Sequence, residues 1–282
     1  MIDTIIIGAG PTGISAALYL FKLNHNVMVF GRDHSQLTES DIIDNYYGFK
    51  PISGPDLIKE GIEHARNLGI KVHLCTVIDV DPIEGGYEVR TAHGNFQAKT
   101  LVIATGKPRL PLKVQGFNTF RSRGIHMCAT CDGFFYKNKK VALVGAGPYM
   151  EQELKVLENF TNQITIFSHG DPITHENYPV INDPILSFTG EKKVKFVNTK
   201  NNSYEIGGVF IAIGFPSANE LALKLGIIQE KSNIIVDEQM MTNLPGVFAG
   251  GDCIGGKLQI PKAIYDGLLI SDGIHHYLKG LK

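Results

Sequence analysis

Two strand, glycine turn, helix patterns stand far apart in this chain, and that repetition constrains the fold more than any other feature. In the first, Ile5-Ile6-Ile7 runs into Gly8-Ala9-Gly10-Pro11-Thr12-Gly13. Ile14, Ala17, Leu18 and Phe21 then recur at helical spacing ahead of a second apolar run, Val27-Met28-Val29-Phe30. In the second, Val141-Ala142-Leu143-Val144 leads into Gly145-Ala146-Gly147, a helix over 151–159 and the partner strand Ile164-Thr165-Ile166-Phe167. Glycines at such a turn let backbone N–H groups and a helix N-terminus approach a pyrophosphate with no side chain in the way. The expected class is therefore α/β, with two Rossmann-like, dinucleotide-binding domains, the second inserted into the first.

The remaining patterns set the expected boundaries. A helix over 55–67 follows a Gly-Pro turn, and strands at 72–74 and 87–90, around Gly85-Gly86, read as a small antiparallel insertion. Leu101-Val102-Ile103-Ala104-Thr105-Gly106 reads as a buried strand ending in glycine. After it, Lys107-Pro108 and Pro111 break regular structure. With a second linker at 205–208, the outer domain is expected over 1–108 and 207–282 and the inner one over 109–206. A final helix over 261–278 follows Val247-Phe248-Ala249-Gly250-Gly251-Asp252 and returns the chain to the outer domain.

At 282 residues and 43% hydrophobic content the chain can bury two cores and has no compositional mark of disorder. No basic leader and no apolar stretch of spanning length is visible, so a cytoplasmic, non-membrane protein is expected. Of the four cysteines, Cys128 and Cys131 form a CxxC pair. In a reducing compartment such a pair is redox-active or metal-binding rather than a structural staple. Cys75 and Cys253 lack the spacing of zinc ligands, so no metal is expected. Although the net charge is only -1, between positions 95 and 140 the basic residues Lys99, Lys107, Arg109, Lys113, Arg121, Arg123, Lys137, Lys139 and Lys140 face a single acid, Asp132. That stretch suits an acidic protein partner or phosphate contacts as well as a solvated face. With no recognised nucleic-acid module beside it, nucleic acid is excluded.

The run Cys128-Ala129-Thr130-Cys131-Asp132-Gly133-Phe134-Phe135-Tyr136 resembles low-molecular-weight, bacterial-type thioredoxin reductases, and the likeness extends over essentially the whole chain. Supporting matches are the turn Gly8, Gly10, Pro11, Thr12 and Gly13, then Gln36-Leu37-Thr38, Asn45 with Gly48, Ala104-Thr105-Gly106, the segment 210–214 and the segment 246–252. The resemblance implies FAD/NAD(P)-type domains with FAD in the outer one. It places Gly31, Arg32, Gln36, Leu37 and Val77 among the cofactor contacts, Asn45 near the ring, Gly251 and Asp252 at the ribityl chain, and Gln259 and Ile260 at the pyrimidine end. It also implies that Cys131 faces the flavin, that Cys128 attacks the disulfide of thioredoxin, and that Asp132 gives and takes the proton this exchange needs. Phe134 and Phe135 resemble the thioredoxin-contacting pair of the family, the other reading being plain core aromatics. A homodimer is expected from the family alone.

The second turn departs from the NADPH-using members. They have a small residue where this chain has Met150, and a His-Arg-Arg segment where it has Ser168-His169-Gly170-Asp171, with no arginine anywhere downstream. Close helix–strand packing at a third fingerprint position favours a small side chain, so Met150 is expected to push the helix away from the strand or to intrude where the turn packs closely. Two lost charged hydrogen bonds to a 2'-phosphate cost roughly 3 to 6 kcal/mol, or about 10² to 10⁴ in affinity. NADH escapes that penalty, yet no acid ends either second strand: Phe30 is followed by Gly31 and Arg32, and Asp171 comes several residues late. The pattern resembles the ferredoxin-dependent flavin thioredoxin reductases, which keep FAD and the CxxC and lack the NADPH motifs. The expected partners are accordingly thioredoxin and reduced ferredoxin, with flavodoxin as an alternative donor. A pyridine-nucleotide-dependent enzyme with an atypical site, and a flavin redox sensor that does not turn over, are the competing readings.

Overall fold

The computed structural model describes residues 1–31, 36–40, 42–106, 112–121, 123–213 and 218–281. It divides into two compact units, Met1–Pro108 with Ser217–Lys282, and Arg109–Pro216.

In the first unit the chain runs β1 (Ile2–Ile7), α1 (Pro11–Lys22), β2 (Val27–Gly31), α2 (Gly54–Asn67), β3 (Lys71–Leu74), β4 (Val77–Ile83), β5 (Gly86–Thr91) and β6 (Gly94–Ile103). Strands β3, β2, β1 and β6 form a parallel array, onto which β5 and β4 continue antiparallel. The unbroken isoleucine run of β1 suits a strand covered on both faces. Ile6 packs with Ile14, Ala17, Leu20 and the C-terminal helix, whereas Ile5 and Ile7 turn to the opposite core with Val80, Val89 and Leu221.

Two expectations change here. The segment 72–74 is not part of an antiparallel insertion: β3 extends the parallel sheet beside β2, with Val72 opposite Val29. The apolar stripe of α1 is Ile14, Ala17 and Leu20, while Phe21 is exposed, because the helix turns its small residues to a close neighbour rather than its largest one.

The second unit begins with α3 (Phe117–Phe120), β7 (Ile125–His126), α4 (Ala129–Asp132), β8 (Val141–Val144), α5 (Pro148–Leu157), β9 (Ile164–Phe167) and β10 (Val180–Ile181). An antiparallel meander of β11 (Ile185–Gly190), β12 (Val194–Thr199) and β13 (Ser203–Glu205) follows, then β14 (Gly208–Ile211). A five-stranded parallel sheet runs β10-β9-β8-β14-β7. Val141–Val144 is buried along its length because it lies between β9 and β14.

The expected return to the first unit at 207 is therefore about ten residues early. β14 pairs residue by residue with β8, so 208–211 completes the second unit's sheet, and the 205–208 link joins two strands of that same unit rather than two domains. The linker read at 107–111 lies outside the described residues.

The chain closes with α6 (Ala218–Leu225), the short pair β15 (Gln229–Glu230) and β16 (Asn233–Ile234), β17 (Val247–Ala249) and α7 (Ile260–Gly280). β17 pairs in parallel with the C-terminal half of β6, through Leu101, Val102 and Ile103. The two ribbons thus bring Ala104 and Gly250 to the same end of the sheet, at which the β1 turn also lies. Helix α7 crosses α1 closely: a side chain on Gly267 would collide with Ser15 Cβ, 2.6 Å away. No helix among the described residues is long and apolar enough to cross a membrane.

Candidate functional sites in each unit

The first site is built on the turn from β1 into α1. Gly8 has φ +126°, a value that costs glycine little, and a Cβ there would run into Ala104 O. A Cβ on Gly13 would meet Gly8 O, and one on Gly31 would meet Ala9, so these glycines are fixed by close backbone approach. Gly10 differs: it N-caps α1 with ordinary backbone angles, its α1 cap has no side-chain hydrogen bond, and no atom lies within 4 Å of where its Cβ would stand. Uncapped N–H groups opening onto free space are what a pyrophosphate requires.

Thr12 completes the cradle on the other side, its Oγ1 2.5 Å from the Cβ position of Gly251, which has φ +77°. Gly8, Gly13, Gly31, Thr12, Ala104 and Gly251 are thereby brought together. Gly106, also at positive φ with open space beside it, follows on from Ala104 and Thr105. Asp252 sits half-buried in the 3-10 turn Gly251–Ile254. Gln259 and Ile260 form the start of α7, where no side chain caps the helix. Val77 opens β4 with its side chain in the core, so only its backbone is left to meet a ligand. Asn45 is exposed, Leu37 packs against the core of α1 and α2, and Gln36 begins a 3-10 turn. Arg32 lies outside the described residues.

Sequence reading missed a pair that secures this loop. Lys262 Nζ lies 2.6 Å from Asp266 Oδ2 one turn along α7, and donates to Gly251 O and Gly255 O at 2.9 and 2.8 Å. The same Asp266 oxygen accepts the Gly251 N–H at 2.7 Å. An i,i+4 charge pair just behind a glycine-rich turn was the available signal.

The second site is the dithiol. Cys128 and Cys131 are joined as a disulfide with their Cα atoms 5.4 Å apart, as one turn of α4 allows. Cys131 is exposed, whereas Cys128 is 1% exposed and its Sγ accepts the Cys131 N–H at 3.2 Å. A donated N–H favours a thiolate on that sulfur once the bond is reduced. Glu153, buried on α5, accepts the Ala129 N–H through Oε2 at 2.7 Å. On the other side His126 bridges two groups, its Nδ1 2.9 Å from Asp132 Oδ2 and its Nε2 2.7 Å from the Tyr136 hydroxyl. Burial, and secondarily the Asp132 charge, raise the Tyr136 phenol above its ordinary range. Neither Glu153 nor His126 belongs to the CxxC run, and nothing local in the sequence points to either.

Phe134 and Phe135 are 69% and 65% exposed with their rings edge to face, so the core-aromatic reading fails. Lys137, Lys139 and Lys140 follow them in the chain and are exposed, as are Lys113, Arg121 and Arg123.

The nucleotide-type turn of this unit is altered in a way only partly expected. Met150 does not push α5 off the sheet: it is buried in the core with Leu143, Leu154 and Phe210, and the helix forms normally from Pro148. Its Cβ instead lies 3.3 Å from the Cβ position of Gly145, filling the space behind the turn. At the end of β9, Ser168 Oγ donates to Asn182 Oδ1 at 2.8 Å and His169 Nδ1 accepts the Ile185 N–H at 3.0 Å. Cys253 is buried, and burial pushes its thiol up to about 12; burial also raises Cys75.

The signature of the pyridine nucleotide-disulphide oxidoreductase family matches residues 2–267. The thioredoxin reductase of Listeria innocua is 32% identical over 305 aligned positions, covering 99% of this chain and 95% of its own. Among solved structures, the atypical thioredoxin reductase TRi from Desulfovibrio vulgaris Hildenborough superposes with a TM-score of 0.89 at 29% identity, covering 99% of each chain. A ferredoxin-flavin thioredoxin reductase from Clostridium acetobutylicum gives 0.71 at 28% identity, covering 99% of this chain and 98% of that one. With an uncapped glycine turn at the start of α1 and a disulfide at the CxxC, the chain belongs to the pyridine nucleotide-disulphide oxidoreductase family, among its FAD-containing thioredoxin reductases.

Proposed function

We propose that this thioredoxin reductase draws its electrons from reduced ferredoxin rather than from NADPH or NADH, and passes them through Cys128 and Cys131 to thioredoxin. The observation that carries this reading is the end of β9. Where a 2'-phosphate would need cations, Ser168 and His169 are committed to Asn182 and to the Ile185 N–H. The structural likeness to a ferredoxin-flavin thioredoxin reductase supports it. So does the run of exposed basic side chains Lys113, Arg121, Arg123, Lys137, Lys139 and Lys140, which suits encounter with an acidic protein. Flavodoxin has the same acidic chemistry and is an alternative donor.

FAD is assigned to the first unit, held by the Gly8–Gly13 turn, Ala104 to Gly106, Gly251 and Asp252, and the start of α7. When bound, it supplies the step between one-electron donors and a two-electron dithiol. The chain's own residues do the rest. Cys128 is 1% exposed in the oxidised protein, so its sulfur has to be uncovered before thioredoxin can reach it. In the reduced state the Cys128 thiolate then attacks one sulfur of the thioredoxin disulfide, forming a mixed disulfide and releasing the other sulfur, which takes a proton from Asp132. Cys131 then attacks Cys128 Sγ, re-forming the 128–131 disulfide and releasing thioredoxin as a dithiol. Two electrons pass to thioredoxin per cycle. Phe134 and Phe135 offer the apolar contact for that partner. A cytoplasmic homodimer is part of the same proposal.

The test is anaerobic. Purified holoenzyme is mixed in turn with NADPH, NADH and reduced ferredoxin, with thioredoxin present, and flavin bleaching and thioredoxin thiols are followed. Bleaching and thiol formation with ferredoxin alone are expected. Rapid reduction by a nucleotide would favour the competing reading, which the family's pyridine nucleotide description supports. Replacing Arg121 and Arg123 by Glu should slow ferredoxin turnover and flatten its salt dependence; unchanged kinetics would remove this patch from the docking site.

A further inference from the structure

We propose that His126 is a positioning residue for thioredoxin reduction, which orients Asp132 and stores the proton that Asp132 delivers. The inference rests on the role proposed above for Asp132. His126 lies on β7, Asp132 ends the CxxC helix, and Tyr136 ends the 3-10 turn after it; the three side chains form one hydrogen-bonded row, with distances of 2.9 and 2.7 Å on the two sides of the imidazole. The remaining face of the ring stacks on Phe210 of β14 at 5.3 Å, which contributes no charge. Beyond Tyr136, Lys139 Nζ lies 5.8 Å from the phenol ring centre.

A tyrosine hydroxyl both donates and accepts, so this row stays fully bonded in each protonation state. With Asp132 ionised and the imidazole charged, Nδ1–H donates to Oδ2 and Nε2–H donates to Tyr136. The proton on His126 Nδ1 passes to Asp132 Oδ2, which leaves the imidazole neutral with its Nε2–H on Tyr136, and Asp132 gives that same proton to the departing thiolate sulfur. If Asp132 is ionised and the imidazole neutral, the tautomer reverses and Tyr136 donates to Nε2. No electrons move in these transfers, and water returns the proton between turnovers. An imidazolium is a weaker acid than a carboxyl, and the hydrogen bond between the two groups gives its proton a path to Asp132.

The experiment is single-turnover reduction of thioredoxin by pre-reduced, FAD-loaded enzyme between pH 6 and 9, for wild type, His126→Asn, Asp132→Asn, the double variant and Tyr136→Phe. Asn keeps a donor toward Asp132 and cannot titrate. His126→Asn should already be roughly tenfold slower than wild type at pH 6, with its profile shifted to lower pH, a modest share of a general-acid effect. The double variant should be no slower than Asp132→Asn alone, and Tyr136→Phe should move the profile the same way by less. An unshifted profile for His126→Asn, or losses that multiply in the double variant, overturns the proposal. If Asp132→Asn itself reduces thioredoxin at the wild-type rate, the parent role of Asp132 fails instead. Unfolding curves for all variants separate these outcomes from misfolding.

Discussion

Glu153, on the helix that follows the second glycine turn, accepts the backbone N–H of Ala129, the residue next to Cys128, at 2.7 Å. The Tyr149 hydroxyl, from the same helix, lies 3.5 Å from Met127 O. The N-terminal part of α5 is thus turned toward bracing the dithiol peptide, and the helix retains its uncapped glycine start. A helix that follows a nucleotide-type glycine turn serves here as a support for the redox-active turn.

Removing that brace should be felt. Glu153→Ala leaves the Ala129 N–H buried with no acceptor, at a cost of about 1 to 3 kcal/mol. Over a protein of this size each kcal/mol lowers Tm by about 2 to 4 °C. Glu153→Gln keeps an acceptor oxygen and should lose less. Thermal unfolding of the oxidised proteins decides it, and a wild-type Tm for Glu153→Ala would show that the contact contributes nothing.

The clasp on the 250–256 loop predicts an effect on cofactor retention. Lys262→Met leaves the largely buried Asp266 carboxylate without its cation, and two carbonyls without their donor. The loop that carries Asp252 should loosen and FAD should dissociate about tenfold faster, equivalent to about 1.4 kcal/mol. Recovery of free-flavin fluorescence after dilution measures the rate. Retention as tight as in wild type would mean that the loop is held without Lys262.

Two glycines of the first turn should behave in opposite ways. Gly13→Ala drives a methyl into Gly8 O and should give a poorly folded protein. Gly10→Ala meets no protein atom within 4 Å and has ordinary backbone angles, so the fold should survive. If the pyrophosphate lies over this turn as proposed, the methyl stands in its space, and FAD affinity should fall at unchanged apoprotein stability. Titration with FAD together with apoprotein unfolding would check both. Full FAD affinity in Gly10→Ala would move the phosphate elsewhere.

The four cysteines should separate by reactivity. In the reduced protein at pH 8, iodoacetamide should label exposed Cys131 readily and leave Cys253 unlabelled, because a thiol pushed up to about 12 holds almost no thiolate there. The same shift has a stability consequence. The folded state keeps the Cys253 proton to about 12 while the unfolded thiol loses it near 9.0. Stability from this group is therefore present below pH 9 and falls by about 1.4 kcal/mol per unit as the pH rises toward 12. Cys253→Ser should flatten that alkaline fall. For the dithiol, Cys131→Ser should trap thioredoxin as a mixed disulfide on Cys128; trapping by Cys128→Ser instead would reverse the assigned roles.

Local pattern was enough for much of this protein. The isoleucine run of β1, the glycine turn after it and the apolar run 141–144 each announce a buried strand in a parallel sheet. The spacing of Cys128, Cys131 and Asp132 lies within one short helix and needs no fold to be recognised. What local pattern could not supply was pairing. The segment 72–74 alternates as an antiparallel edge would, and only its register with β2 makes it parallel. The apparent hinge at 205–208 became a strand connection because β8 offered β14 an unpaired edge.

The site divides along the same line. The sequence by itself determined which atoms can carry out thiol exchange and where a dinucleotide can lie, since those depend on residue type and short spacing. Only the tertiary structure decided that Glu153 holds the CxxC backbone, that His126 stands between Asp132 and Tyr136, that Lys262 and Asp266 fasten the Gly251 loop, and that Met150 fills a core. Each of these is a choice of partner among many chemically equivalent polar or apolar groups. That choice is set by which strands pair and which helix faces meet, and long-range packing fixes both.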